Sequence, residues 1–250
     1  YPHYKFPPGL ATPPVQEFPL SEVLGAIDFK PDLIIQAGDV SWLGGKSPVP
    51  NIIIATDPHA VDYKPRLKHA DHFVSMQNYY LKDYTGGLFM PYGYSEDIHR
   101  WTRNFPEYDV VFCGLQYQHR LEVLNKLNSA GKRVYIGLGL IYEDYVSKYN
   151  KGKIAFNWSS QQDLPARFWE GLAMHNLVVT NRVPDLELFD LKEDHDYVGF
   201  DTEAEAIEKI VYFLNNETKM AKIAASGYKK VQPHTYTQRV KKMLKEIGYG

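Results

Sequence analysis

The sequence predicts an α/β fold built from two tandem domains, each with a parallel sheet covered by helices on both faces. Short, continuous apolar runs of the kind found in buried strands recur along the chain. Helical stretches separate these runs, as they do in folds with parallel sheets. A polar, aromatic segment at residues 94–107 divides the runs into two series, so we place the first domain at residues 1–105 and the second at residues 106–250.

The composition narrows the classes of function. The 250 residues are 44% hydrophobic and carry a net charge of −2, so we expect a globular chain without the basic surface of most nucleic-acid-binding proteins. Cys113 is the single cysteine. It excludes a disulfide within the chain, and its apolar neighbours predict a small buried residue. No apolar run approaches the roughly 20 residues of a membrane span. No signal peptide is evident, so we expect a cytoplasmic protein.

In the first domain, the proline-rich residues 1–20 lack periodicity and predict a loop or an arm. Ser21 is expected to cap a helix that covers residues 22–27. Apolar runs then predict buried strands at residues 32–38, 51–57, 72–77 and 87–93. Ligands of parallel sheets bind at the carboxyl ends of the strands, and Asp57 and His59 fall at such an end.

The second domain repeats this alternation. Strands are predicted at residues 108–114, 133–137, 153–157 and 177–181. Helices are predicted at residues 119–130, 141–149, 202–215, 218–230 and 235–247. The sequence from Thr202 to Glu205 matches a capping box and opens the third of these helices. One further helix, with Pro165 near its first turn, runs into the strand at residues 177–181.

This further helix carries the candidate chemistry. Leu164, Phe168 and Leu172 lie four residues apart and predict a face that packs in a core. A polar run at residues 159–163 precedes the helix. The amino end of a helix presents unpaired N–H groups and the positive end of the dipole, which suit a phosphate-bearing ligand. Glu170, farther along the helix, is then placed to accept hydrogen bonds from a diol.

Arg167 and Glu170 also have a purely structural interpretation. They lie three residues apart and are able to form an ordinary ion pair on a solvated helix face. Their order is the less stabilising one, because helices favour the acid nearer the amino end. The local pattern alone leaves both interpretations open.

Several motifs of the second domain occur in the order and spacing of one known family. They are Gly114 with Tyr117 and Arg120, residues 157–159, 163–170, 180–184 and 187–189, and the ending at 234–239. Over about residues 108–245 the chain resembles the carboxyl-terminal domain of GT-B glycosyltransferases of group 1, with the closest likeness to those related to spore-maturation glycosyltransferases. The resemblance implies two tandem Rossmann-like domains, of which the first is shortened.

The resemblance also implies a donor site. Glu170 would hold the ribose hydroxyls of a nucleotide-sugar donor, since a carboxylate accepts two hydroxyl hydrogen bonds. Arg120 and the turn at Gly114 would approach the donor diphosphate, with Arg167 as a second cation. The remaining donor-binding candidates are Tyr117, Asn157, Ser159 and Asp163. GT-B enzymes generally need no bound metal, so neither a metal nor a cofactor is expected.

One departure from the family concerns the donor sugar. Many relatives carry a second glutamate eight positions before the acid that matches Glu170, and this chain has Gln162 there. Asp163 follows directly, so contacts to the donor sugar are expected to differ. A role for Asp163 at the start of the helix is the alternative.

In retaining relatives, a histidine after a strand of the first domain faces the donor sugar, and Asp57-Pro-His59 stands at a comparable place. His59 is therefore the candidate acceptor-side or sugar-side residue, and Asp57 is the candidate base. A loop-capping role is the alternative for both. Asp39 also follows a predicted strand, and there a capping role is the preferred interpretation.

The predicted function is transfer of a sugar from a nucleotide-sugar donor to a hydroxyl acceptor, without a metal and with retention of configuration. A glycan, another hydroxyl compound and a modified nucleic acid all remain open as the acceptor, as does the oligomeric state. One alternative is a non-catalytic nucleotide- or glycan-binding protein derived from a transferase. Another is a metallophosphoesterase, suggested by Gly38-Asp39 and Asp57-x-His59, although those enzymes have the two motifs in the reverse order.

Overall fold

The computed structural model describes residues 16–38, 41–102 and 104–249, which form two compact units. The first unit runs to Pro91 and includes the residues from Met243 onward, and the second comprises Tyr92–Lys242. The units divide the chain before the predicted boundary at residue 105, because Tyr94 already pairs with Thr235 inside the second unit. Asp39 and residues 1–15 of the predicted arm lie outside the described residues.

The first unit contains one parallel sheet and a separate pair of strands. Its elements are β1 (Gln16–Pro19), α1 (Leu20–Ala26), β2 (Ile34–Ala37), β3 (Ser41–Gly44), β4 (Asn51–Ala55), α2 (Lys64–Leu67), β5 (His72–Ser75), a 3-10 helix (Asn78–Asp83) and β6 (Leu88–Phe89). The sheet has the order β2-β4-β5-β6, and β1 pairs in parallel with β3. All four predicted strands are therefore present, although β6 is much shorter than predicted.

Two features of the first unit differ from the prediction. No pattern in the sequence indicates β1 or β3, because both are short and β1 is exposed along its whole length. Without a buried face, a strand has no apolar alternation to detect. The predicted capping role of Ser21 is wrong, because the extended Pro19 takes the N-cap position and Ser21 lies inside α1.

The second unit contains the larger sheet. Its elements are β7 (Tyr108–Cys113), α3 (Gln118–Ser129), β8 (Val134–Gly137), α4 (Tyr142–Asn150), β9 (Gly152–Asn157), α5 (Ala166–Ala173), β10 (Leu177–Asn181), a 3-10 helix (Pro184–Leu188), β11 (Val198–Phe200), α6 (Glu203–Leu214), α7 (Glu217–Val231) and α8 (Tyr236–Glu246). The five strands are all parallel, in the order β8-β7-β9-β10-β11. From β7 the chain passes outward to β8, then back across to β9. Such a reversal opens a crevice at the carboxyl ends of the two central strands, the usual ligand site of open α/β sheets.

Helix α5 packs as its pattern predicts. Phe168, Trp169 and Leu172 are fully buried in the second unit. Pro165 is the extended N-cap, with no side chain capping the first turn. The helix ends before His175, whose φ of 64° lies in a region that residues other than glycine seldom adopt. The loop after β9 leads directly into α5, so the amino end of the helix lies on the side where β9 ends.

The predicted capping box is also formed. The Thr202 hydroxyl accepts a hydrogen bond from the backbone N–H of Glu205 at 3.2 Å, and the Glu205 carboxylate accepts one from the backbone N–H of Asp201 at 2.8 Å. The first bond satisfies an N–H group in the first turn of α6, and the second ties Glu205 back to the residue before the N-cap Thr202. Within the described ranges, no helix has the length and apolar character needed to cross a membrane.

Candidate functional site

The carboxyl ends of β7 and β9 bring together three predicted donor-site residues. Gly114 follows β7, Asn157 ends β9, and the two strands are neighbours in the sheet. Arg167, on the first turn of α5, reaches this edge and donates from Nε to Asn157 Oδ1 at 3.0 Å. The place where the strand order reverses, at the carboxyl ends of β7 and β9, therefore carries a cation.

Gly114 is required by the close approach of Arg167. A Cβ at this position would lie 2.8 Å from Nη1 of Arg167, and the φ of Gly114 is +154°. The Arg167 guanidinium also lies 5.6 Å from the centroid of the Phe112 ring, a favourable cation–π distance. A side chain at position 114 would have to displace the guanidinium from the edge of the sheet.

The ion pair between Arg167 and Glu170 is not formed. In the part of the chain that the structure describes, Arg167 has no carboxylate within ion-pair distance, and its Nε donates to the neutral amide of Asn157. Glu170 is engaged by Tyr145 and His99 instead. The purely structural interpretation of this pair is therefore wrong, and Arg167 holds a half-buried positive charge without a counter-ion among the described residues.

The loop that joins β9 to α5 is fixed by polar contacts. The Ser159 hydroxyl donates to Asp163 Oδ1 at 2.5 Å, and the Ser159 N–H donates to Asn181 Oδ1 at 2.7 Å. Asn157 Nδ2 donates to the Thr180 hydroxyl at 2.8 Å. Asp163 is buried and secures the approach to the helix. The sequence analysis missed Asn181 in this role, although its place at the end of a predicted strand was a usable signal.

Arg120 lies beneath this loop and is only 2% exposed. Its Nε donates to the carbonyl oxygen of Trp158 at 2.7 Å and its Nη1 donates to that of Leu115 at 2.7 Å. Its Cζ lies 4.5 Å from the centroid of the Tyr117 ring. These contacts connect the segments after β7 and β9, so they favour a structural role for Arg120 over the predicted diphosphate contact, which stays a prediction. Tyr117 covers the guanidinium.

Glu170 lies one turn farther along α5 than Arg167. The Tyr145 hydroxyl donates to Glu170 Oε2 at 2.6 Å, and His99 Nε2 lies 3.5 Å from Oε1. Burial raises the pKa of Tyr145 well above its usual value, so Tyr145 remains a protonated donor at neutral pH. Burial also raises the pKa of Cys113 to about 12, which leaves that thiol uncharged and unreactive.

The first unit, considered alone, places His59 and Asp57 in the segment after β4. Gln77 Nε2 donates to the carbonyl oxygen of Thr56 at 3.0 Å, so its Oε1 is the atom that accepts from His59 Nδ1, also at 3.0 Å. In this contact His59 Nδ1 is the donor. Asp57 Oδ1 lies 3.9 Å from Nε2, beyond hydrogen-bond distance. The catalytic roles of both residues stay predictions.

The described residues contain no metal-site geometry of the kind that a metallophosphoesterase would need. Among residues 16–38, 41–102 and 104–249, no group of three or more His, Cys, Asp or Glu side chains is arranged to hold a metal ion. Asp39, one of the two motif residues that suggested this alternative, lies outside those ranges. The geometry therefore adds no support for a metallophosphoesterase.

The second unit should lose stability in mild acid. Burial lowers the pKa of His99, His119 and His175, and burial with the nearby Arg239 lowers that of His234 to about 4. In an unfolded chain the pKa of a histidine is about 6.5. Between those values the unfolded chain binds more protons, so the free energy of unfolding falls as the pH drops from about 7 toward 4.

Urea denaturation of the protein at several pH values between 7.5 and 5 measures this effect. We expect the midpoint to fall steadily, and to fall less in His234→Gln, which cannot take up that proton. Carboxylates with lowered pKa, such as Glu205 at about 2, lose their contribution only in stronger acid. A midpoint that is constant or rises toward pH 5 would contradict the prediction.

Comparison with known proteins identifies the family. Residues 96–245, more than half of the chain, match the glycosyl transferase-like family. No curated protein sequence matches the chain. Among solved structures, it is similar to sucrose-phosphate synthase from Thermosynechococcus elongatus, with 13% identity over 80% of this chain and 68% of that one and a TM-score of 0.59.

Two further solved structures show the same fold. HepE of Anabaena, in complex with UDP-glucose, has 11% identity over 80% of this chain and 72% of its own, with a TM-score of 0.61. A glycosyltransferase from Rickettsia africae has 12% identity over 85% of this chain and 76% of its own, with a TM-score of 0.60. The predicted α/β fold of the GT-B type is confirmed by these similarities and by the parallel sheets of both units. The chain belongs to the glycosyl transferase-like family.

Proposed function

We propose that this protein transfers a sugar from a nucleotide-sugar donor to a hydroxyl acceptor, and that the donor binds at the carboxyl edge of the sheet in the second unit. One observation carries the proposal. Helix α5 presents a cation without a carboxylate partner among the described residues, Arg167, and one turn later a carboxylate, Glu170. This pair of groups suits a nucleoside diphosphate, with the cation for its phosphates and the carboxylate for its ribose diol.

The chemistry follows from the charges. When the bond between the anomeric carbon and the phosphate oxygen breaks, negative charge develops on the leaving diphosphate. Arg167 and the uncapped N–H groups of α5 are suited to stabilise that charge. The acceptor oxygen bonds to the anomeric carbon and gives up its proton to a base. Asp57 and His59 are our candidates for this base or for an acceptor contact.

The finer features of the function are proposals as well. We infer that transfer needs no metal ion or cofactor, because a fixed guanidinium is able to replace a cation at the diphosphate. We also infer retention of configuration and a closest relationship to the spore-maturation type, both from the motif likeness; the anomeric configuration of the product, measured by NMR, tests the former. A glycan is our preferred acceptor. HepE has been solved with UDP-glucose, which makes that compound the first donor to test.

Calorimetric titration with UDP, GDP, CDP and dTDP sugars in the presence of EDTA tests the donor site. We expect one nucleotide to bind and Glu170→Ala to weaken its binding about tenfold or more, because a charge-assisted hydrogen bond to the ribose is lost. Glu208→Ala, which changes an exposed glutamate on α6, is the matched control and should bind normally. If the folded protein binds none of the four, the transferase proposal fails. Binding without release of sugar would favour the non-catalytic alternative.

A further inference from the structure

Each of the two carboxylate oxygens of Glu170 lies beside a polar side chain of the protein. The Tyr145 hydroxyl donates to Oε2 at 2.6 Å and His99 Nε2 lies 3.5 Å from Oε1. Both residues belong to the second unit, Tyr145 on α4 and His99 in the segment before β7. A carboxylate that accepts a hydrogen bond on one oxygen and has an imidazole nitrogen close to the other rotates less freely about its terminal bond than an exposed glutamate does.

The protonation of His99 is set by its other nitrogen. The backbone N–H of Ser95 donates to His99 Nδ1 at 3.0 Å, so Nδ1 is the acceptor and Nε2 carries the proton. That N–H is the group that faces Glu170. The His99 side chain is 11% exposed and the Glu170 side chain 15%, so little water competes for this contact.

Hydrogen bonds and a ring contact hold the segment that follows His99 in place. The backbone N–H of Thr102 donates to Asn150 Oδ1 at 2.6 Å, and Asn150 Nδ2 donates to the carbonyl oxygen of Arg100 at 2.9 Å. The ring of Trp101 stacks on that of His175, with centroids 4.2 Å apart and planes 15° from parallel. The position of His99 is therefore fixed by α4 and by the residues that end α5.

We propose that Tyr145 and His99 are positioning residues that orient Glu170 toward a 2′,3′-diol, so that the protein selects ribonucleotide over 2′-deoxyribonucleotide donors. A carboxylate offers about four acceptor sites, so with the Tyr145 hydroxyl on one oxygen and the His99 ring beside the other, at least one further site remains on each oxygen. Two adjacent hydroxyls match these two sites. A 2′-deoxyribose leaves one of them unpaired in a largely buried place, which is the condition for strong discrimination. This inference rests on the proposed donor site.

The test compares the Kd of UDP with that of 2′-deoxy-UDP, and of GDP with 2′-deoxy-GDP, by calorimetry on the full chain. We expect the wild-type protein to favour the ribose form about tenfold or more. Tyr145→Phe and His99→Leu should each remove most of this preference, while His99→Gln keeps part of it because its amide retains an N–H donor. Tyr212→Phe, on the exposed face of α6, should behave as the wild type does.

Failure of this inference and failure of the proposed donor site give different results. Wild-type protein that favours ribose, together with Tyr145→Phe and His99→Leu variants that keep the full preference, would overturn this inference and leave the donor site intact. Wild-type protein that binds neither form would overturn the donor site and the inference with it. A general loss of packing would weaken both members of each nucleotide pair equally, so a change in their ratio reports orientation of the carboxylate.

Discussion

Replacing Arg167 with alanine should slow the transfer of sugar by about 100- to 1000-fold, the range seen when a preorganised group that stabilises transition-state charge is removed. The guanidinium is held by Asn157 and by the ring of Phe112 beside Gly114, so it needs no reorganisation as the diphosphate leaves. Steady-state kinetics with the donor found by titration measures the effect. We expect kcat to fall more than the affinity for the donor, because charge on the diphosphate grows in the transition state.

Two further variants sharpen this experiment. Arg167→Lys keeps the charge but loses the planar donor geometry, so its kcat should lie between those of the wild type and the alanine variant. Arg133→Ala is the matched control. Arg133 lies just before β8, at the amino ends of the strands, and it pairs with Asp109. An Arg167→Ala protein that is folded and turns over at the wild-type rate would contradict the role assigned to this residue.

Replacing Gly227 with alanine should destabilise the second unit by about 2 to 3 kcal/mol. A Cβ at this position would overlap the backbone carbonyl oxygen of Asp196 and approach Leu172 Cδ2 to 2.6 Å. The carbonyl cannot move aside easily, since the buried Asp196 carboxylate is bonded by Ser226 at 2.6 Å and by the backbone N–H of Lys192 at 2.8 Å. The better helix propensity of alanine returns only about 1 kcal/mol, so the overlap decides the sign.

Urea denaturation measures this change as a lower midpoint at an unchanged m-value. Gly25→Ala is the matched control, because Gly25 also lies in a helix, α1, and its Cβ would meet nothing within 4 Å. There the propensity term acts alone and should be neutral to stabilising. A Gly227→Ala protein as stable as the wild type would contradict the prediction. It would mean that α7 and the turn at Asp196 move apart without lowering the free energy of unfolding.

Much of the second unit could be predicted because its strands are buried on both faces. The strand at residues 177–181 occurs with the predicted bounds, since a short, continuous apolar run between turn residues is typical of a fully buried strand. Gly114, Asn157 and Arg167 also lie together, because strand order brings the carboxyl ends of neighbouring parallel strands to one edge of the sheet.

Other parts of the site could not be predicted, for a physical reason. His99, Tyr145 and Glu170 come together from three distant parts of the chain, and such contacts leave no periodicity in the sequence. The tyrosine-rich helix and the polar segment before β7 were visible, but their partners were not. Arg120 is a case in which a motif match did not reveal the contacts of the residue. Its guanidinium donates to two backbone carbonyl oxygens.

Helix α4 supplies both supports of Glu170. Tyr145 contacts the carboxylate directly, while Asn150, at the end of the same helix, holds the segment that presents His99. The two supports are therefore not independent of each other, because both depend on the position of α4. A substitution at Asn150 that touches no substrate would disturb one donor, and a shift of the whole helix would disturb both at once. A change at one of these positions of α4 is therefore expected to alter which changes the other position can tolerate.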